Sequence, residues 1–219
     1  MVQRRANMRR IPESTIRRLP AYLRVLENQK ETRTTSVALG ERTGYSSEQV
    51  RKDLAYFGAF GTRGVGYDVS QLGHQIRHIL GLDKNVKAVL VGAGHLGTAL
   101  LRYTQSGVSD VQFAAVLDNS PQVVGSAIGS MVVEDIQHLE SIVTERKIRL
   151  AVLTVPAEAA EKVAERLAEA GIGAILNFAP SPILTDQDRV LVQNLDLTLE
   201  LQAMAYFVTE HDDLESPVS

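Results

Sequence analysis

This sequence predicts a two-part α/β chain: a helical N-terminal domain, then a domain in which strands and helices alternate around a parallel sheet. Three observations carry the prediction. Residues 1–80 have a net charge of +7 and residues 81–219 a net charge of −10, so the overall −3 conceals a basic portion on an acidic body. Apolar strand-like runs near 86–91, 111–117, 150–154, 174–177 and 190–194 alternate with helical segments near 96–104, 135–146 and 157–170. That alternation predicts a parallel sheet with helices on both faces. Ahead of it, the order helix, short helix, glycine turn, helix is that of a helix-turn-helix.

The first helix has Ile16, Leu19, Leu23 and Leu26 at helical spacing, with Pro20 inside it. Pro20 either kinks this helix or moves its start. A short helix over 35–42 ends at Gly44. Ser46 then stands as an N-cap, with Gln49 three residues on as in a capping box, and the third helix runs over 47–56. Residues 57–67 hold four glycines among aromatics and Arg63, which predicts a β-hairpin, the wing of a winged helix. A linker helix over 70–80 presents Leu72, Ile76, Ile79 and Leu80 on one face. On the third helix, Val50 and Leu54 face the core and Ser46, Ser47, Gln49, Arg51 and Lys52 form the polar set. Arginine pairs bidentately with guanine and glutamine with adenine in the major groove, and a lysine suits phosphate. Arg63 suits a minor groove or the backbone. Carried on a basic domain, this pattern points to double-stranded DNA.

In the second domain the strand Val86-Lys87-Ala88-Val89-Leu90-Val91 turns through Gly92-Ala93-Gly94-His95-Leu96-Gly97 into a helix, and the next strand ends at Asp118, 21 residues past Gly97. This is the fingerprint of a Rossmann-like dinucleotide site, the alternative being a tight strand-to-helix turn with no ligand. The first glycine permits the tight turn, the second lets the backbone approach a pyrophosphate, and the third lets helix and strand pack closely. The helix N-terminus offers N–H groups to phosphate, and Asp118 offers acceptors to a ribose diol. Asp118 is followed by Asn119 and Ser120 with no cation beside it, which favours NAD(H) over NADP(H). Thr154-Val155-Pro156 and Asn177-Phe178-Ala179-Pro180 follow later strands, either as borders of a nicotinamide or as ordinary strand-end turns.

The remaining elements and the composition bound the function. A helix over 197–210 is apolar on more than one face, which calls either for a partner subunit or for docking on its own domain. The chain has no cysteine, so redox sensing would need a bound cofactor and not a thiol. No run of about 20 apolar residues spans a membrane and no secretory signal is evident, so a cytoplasmic protein is expected. His74 and His78 lie four apart without a third ligand, so no metal is expected. No catalytic acid/base pair or nucleophile constellation is evident, and no catalytic residue is assigned.

At these residues the chain resembles the Rex family of redox-sensing transcriptional repressors of bacteria. The resemblance runs over nearly the whole length. Its most specific parts are Val50-Arg51-Lys52-Asp53-Leu54-Ala55-Tyr56-Phe57-Gly58, Gly61-Thr62-Arg63-Gly64-Val65-Gly66-Tyr67, the turn from Gly92 to Gly97, Leu153-Thr154-Val155-Pro156 and Gly173-Ala174-Ile175-Leu176-Asn177-Phe178-Ala179-Pro180. The resemblance implies a winged-helix DNA-binding domain over 1–82, a Rossmann NAD(H)-binding domain over 83–195, and a dimerisation helix and tail over 196–219, swapped between the subunits of a homodimer. It implies a palindromic operator, release of DNA on NADH binding, and competition by NAD⁺ that permits repression. It also links Arg24, Tyr103 and Asp196 to the switch. The Arg-rich leader over 1–10 exceeds the family pattern and either adds DNA affinity or is idle. The alternatives are an NAD-dependent dehydrogenase, which lacks a catalytic pair, and a coenzyme-A-binding domain, which explains neither the wing nor the basic N-terminus.

Overall fold

The computed structural model describes residues 11–59, 61–62, 64–105, 110–184 and 190–215, with backbone alone over 210–215. The chain divides into two compact units, one ending at Lys84 and the other beginning at Asn85.

The first unit is built from α1 (Glu13–Glu27), α2 (Ser36–Thr43), α3 (Ser47–Ala55) and α4 (Val69–Leu80), with β1 (Arg33–Thr34) paired antiparallel to β2 (Tyr67–Asp68). Pro20 lies inside α1, which runs as one helix from Glu13; its start is not displaced. Leu19, Tyr22, Leu23 and Leu26 of α1 meet Leu39, Val50 and Leu54 in one apolar cluster. The helix expected over 70–80 forms as α4 with its expected apolar face, Ile79 and Leu80 packing against the same cluster, but it is not a mere linker. α4 places Leu72 and Ile76 in that same cluster and packs along α1, so it is a core element of the first unit. Asp68 caps it by accepting from the Gln71 N–H at 2.9 Å. Thr62 and Gly66 exchange backbone hydrogen bonds at 2.9 Å, closing the hairpin expected there.

The second unit holds a seven-stranded sheet of β3 (Lys87–Val91), β4 (Gln112–Asp118), β5 (Ala127–Ile128), β6 (Met131–Asp135), β7 (Leu150–Leu153), β8 (Ala174–Asn177) and β9 (Leu191–Asn194). The order across the sheet is β5-β6-β4-β3-β7-β8-β9, and every neighbouring pair except β5 with β6 is parallel. Counted in chain order from β3, the parallel strands lie 3-2-1-4-5-6, the arrangement of two mononucleotide-binding halves. Strand residues alternate between two cores: Val89, Val91, Ala151 and Leu153 face one, Leu90, Val116 and Val152 the other. Side chains of α6 (Leu139–Glu145) and α7 (Ala157–Glu169) fill the first core, and Leu101 of α5 (His95–Tyr103) enters the second.

One hairpin was not anticipated, and one expected helix starts later than its pattern suggested. β5 and β6 form a tight hairpin where no strand was expected, and helix α6 begins four residues later than the expected 135. Asp135 instead caps a short 3₁₀ turn, accepting from the Gln137 N–H at 2.8 Å. The terminal helix α8 (Leu197–Glu215) has Leu199, Leu201, Met204, Tyr206, Phe207 and Val208 all exposed.

Candidate functional site

In the first unit, α3 divides cleanly into two faces. Val50, Asp53 and Leu54 are fully buried. Arg51 and Lys52 are exposed, with Ser46 exposed and Ser47 half-buried at the helix start. Ser46 caps the helix, its hydroxyl accepting from the Gln49 N–H at 3.1 Å. The reciprocal half of the expected capping box is absent: the Gln49 amide donates to Asp53 Oδ1 at 2.9 Å. Gln49 is thus tied into the protein, and α3 offers Arg51 and Lys52 as its outward donors. Arg51 is steadied by Ser36 of α2, to which Nη1 donates at 3.2 Å. Arg63 lies outside the described residues.

Beneath that surface sits a network no sequence signal was used to find. Asp53 accepts from Thr15 (2.9 Å), from Arg18 Nε and Nη2 (2.6 and 2.7 Å) and from the Tyr22 hydroxyl (2.8 Å), fastening α3 to α1. Burial pushes the Asp53 carboxyl up, but the hydrogen bonds from Arg18, Tyr22, Thr15 and Gln49 outweigh it and hold the group below the usual carboxylate range. The partners respond in the opposite sense. The Asp53 carboxylate raises Arg18 further, and burial together with Asp53 raises the Tyr22 phenol. The signal available was the spacing Val50, Asp53, Leu54, which puts a carboxylate on the apolar face of α3.

In the second unit a cleft of about 640 Å³ opens at the carboxyl ends of the strands, beside β3 and β7 where the strand order reverses. Gly92 follows β3 with φ +99°, and a Cβ there would lie 2.6 Å from the Thr154 carbonyl. The Thr154 hydroxyl donates to the Gly92 carbonyl at 2.7 Å, pinning β7 to the turn. A Cβ on Gly97 would lie 2.0 Å from the Gly92 carbonyl, so only glycine lets α5 come this close to β3. A Cβ on Gly94 would meet nothing within 4 Å, which leaves room for a ligand at the N-terminus of α5.

Asp118 ends β4 and braces this turn. Its Oδ2 accepts from the Ala93 N–H at 2.7 Å and its Oδ1 from the Ser120 N–H at 2.8 Å. A carboxylate has about four acceptor positions, so two backbone bonds leave capacity for a ligand diol. Gly92, Gly94, Leu96, Asp118, Thr154, Val155, Pro156 and Phe178 line the cleft together. Ala93 and His95 instead border a shallower depression along α5. Gly97 is buried beneath the turn. Asn177 is 1 % exposed and does not reach the cleft: its Nδ2 donates to the Ser181 carbonyl and Asn194 Oδ1, and its Oδ1 accepts from the Ala179 N–H. It shapes the turn that carries Phe178 and Pro180. Val123, Ile136 and Arg166 also line the cleft and were not foreseen, because they come from segments with no motif.

Of the three residues linked to a switch, Arg24 is exposed on α1 of the first unit and Tyr103 is exposed at the end of α5. Asp196 is half-buried and caps α8, its Oδ1 accepting from the Thr198 N–H at 2.8 Å.

Comparison with known proteins agrees with both units. The family described as CoA binding domain matches residues 83–181, and the family described as putative DNA-binding protein N-terminus matches residues 10–55. The chain is 43% identical to the redox-sensing transcriptional repressor Rex of Natranaerobius thermophilus over 94% of each chain. It is 40% identical to the repressor of that name from Brevibacillus brevis, over 93% of this chain and all of the other. Among solved structures it is similar to RSP, a Rex-family repressor. The complex of RSP with NAD⁺ and operator DNA has a TM-score of 0.84 at 35% identity, covering 94% of this chain and 95% of the other. The complex of RSP with NADH has a TM-score of 0.81 at 33% identity, covering 94% and 98%.

Proposed function

The chain belongs to the Rex family of redox-sensing transcriptional repressors, and we propose on that footing that it holds operator DNA as a homodimer and lets go of it when the cleft takes NADH. It is a regulator and not an enzyme, since its relatives are named as repressors. The observation that carries the proposal is the joining, in one chain, of a helix-turn-helix unit and a cleft at a Rossmann strand reversal with open room at Gly94.

The residues fit a dinucleotide. Gly94 and the first N–H groups of α5 receive the pyrophosphate. Asp118 takes the ribose diol and repels a 2′-phosphate, so NADH and NAD⁺ are the ligands, not their phosphorylated forms. Thr154, Val155, Pro156 and Phe178 border the nicotinamide. On DNA, Arg51 reads a base edge and Lys52 meets phosphate. The homodimer forms through α8, whose apolar side chains need a second surface, and its twofold symmetry requires a palindromic operator. A repressor reading the NADH:NAD⁺ ratio works in the cytoplasm.

A ligand moves a two-state equilibrium only by its differential affinity for the two states. The arrangement unable to hold DNA must therefore bind NADH more tightly, and a hundredfold preference supplies about 2.7 kcal/mol per site. The oxidised nicotinamide is cationic and the reduced one neutral, a difference a carboxylate can read. Asp196 is that carboxylate, with Tyr103 as its hydrogen-bonding partner and Arg24 as its ion-pair partner in one arrangement only. The test is operator binding at fixed total cofactor across NADH:NAD⁺ ratios. Wild type loses DNA as NADH rises, and Asp196→Ala and Arg24→Ala respond less. Variants superimposable on wild type would dismiss the triad, and a wild type indifferent to the ratio would dismiss the function.

A further inference from the structure

Arg166 of α7 is the only cation among the described residues lining the cleft. Its Nε donates to Glu140 Oε1 at 2.6 Å, and its Nη2 donates to Glu140 Oε2 and to the Ile136 carbonyl, both at 2.9 Å. Nη1 has no hydrogen-bond partner among the described residues. A guanidinium tied along one side is fixed in plane and position, so the donors on its open side are aimed at little further entropic cost.

The sheet order says which end of the cleft this is. β6 lies beyond β4 from β3, and Ile136 directly follows β6. The Arg166 head, bonded to the Ile136 carbonyl, is therefore on the opposite side of Asp118 from Phe178 and Pro180, which follow β8. Val123, Ile136, Ala159 and Val163 add apolar walls to the same cleft. Asn119 and Ser120 add polar lining beside Asp118, and the apolar walls with the fixed Arg166 guanidinium suit a flat heteroaromatic ring carrying unprotonated ring nitrogens.

We propose that Arg166 recognises the base of the adenosine half, Nη1 donating to a ring nitrogen of adenine. This rests on the dinucleotide reading of the cleft. It makes Arg166 a determinant of affinity for the half that both redox forms share, and so silent in the choice between them.

The experiment measures NADH and NAD⁺ by calorimetry, and ADP with its 1-, 3- and 7-deaza analogues by displacement of NADH, on the full chain and on Arg166→Met. Losing one charge-assisted hydrogen bond weakens NADH, NAD⁺ and ADP by one common factor, about tenfold, with the NADH:NAD⁺ affinity ratio unchanged. One deaza analogue loses that factor on wild type and loses nothing further on the variant. Undiminished ADP affinity in Arg166→Met overturns the proposal. So does a loss that is the same for ADP and every analogue, which would make Arg166 only a brace for Glu140 and Ile136. A wild type that binds no NADH brings down the dinucleotide reading, and this inference with it.

Discussion

Asp53 is fully out of water and still holds its charge, because four side chains supply the hydrogen bonds that water would have made. Asp53→Ala leaves Arg18 facing a cavity with no counter-charge, and removing one partner of a buried ion pair costs about 3–5 kcal/mol. Urea unfolding followed on the first unit should show that loss at pH 7. The pH dependence has a fixed sign. The folded carboxyl titrates below its unfolded value, so its stabilisation is complete above the ordinary Asp pKa of about 3.9 and is lost as pH falls through the folded value. Wild type and Asp53→Ala should converge in stability toward acid pH, and curves that stay parallel would mean Asp53 is not the group responsible. At this scale the sequence was only partly legible. The exposure of Arg51 and Lys52 followed from helical periodicity, but Gln49 was read as base-facing and is bound to Asp53 instead. A side chain's partner on another helix is set by packing, which a local pattern does not contain.

The strand-turn-helix from β3 to α5 was the most legible element, because its glycine spacing encodes a backbone geometry and not merely a propensity. Two of those glycines should fail differently. Gly97→Ala pushes a methyl to 2.0 Å from the Gly92 carbonyl, so it should lower the melting temperature of the second unit and lose NADH together. Gly94→Val extends into open room, so it should melt like wild type, bind operator like wild type and ignore NADH, as read by calorimetry and a gel-shift titration. A Gly94→Val protein still released by NADH would place the pyrophosphate elsewhere. The β5–β6 hairpin was illegible for the converse reason. Its first strand is two residues long, too short for a period, and its pairing is fixed by the neighbouring β4. The far wall of the cleft was missed with it, since Ile136 and the Arg166 clamp depend on where β6 ends.

Across the whole molecule, length alone left one large domain or two small ones open, and the charge asymmetry between residues 1–80 and 81–219 only suggested a basic module on an acidic body; the chain divides into two compact units at Lys84. The terminal helix was legible as an element and as an unsatisfied one, but its sequence does not name what covers it. Exposure of 53–63% at Met204, Tyr206, Phe207 and Val208 is the kind of apolar surface that marks an interaction site. Truncation before Leu197 should give a monomer or a poorly soluble product by analytical ultracentrifugation, and a truncated chain that still sediments as a dimer would move the interface elsewhere. The same helix sets how defects are inherited. If each copy is completed only by another copy, an allele that keeps α8 but has lost Arg51 and Lys52 will be shared out among functional chains in a mixed cell. Half-competent pairs would then outnumber intact ones, and the mutation would act dominantly, whereas an allele cut before Leu197 would enter no pairs and be recessive.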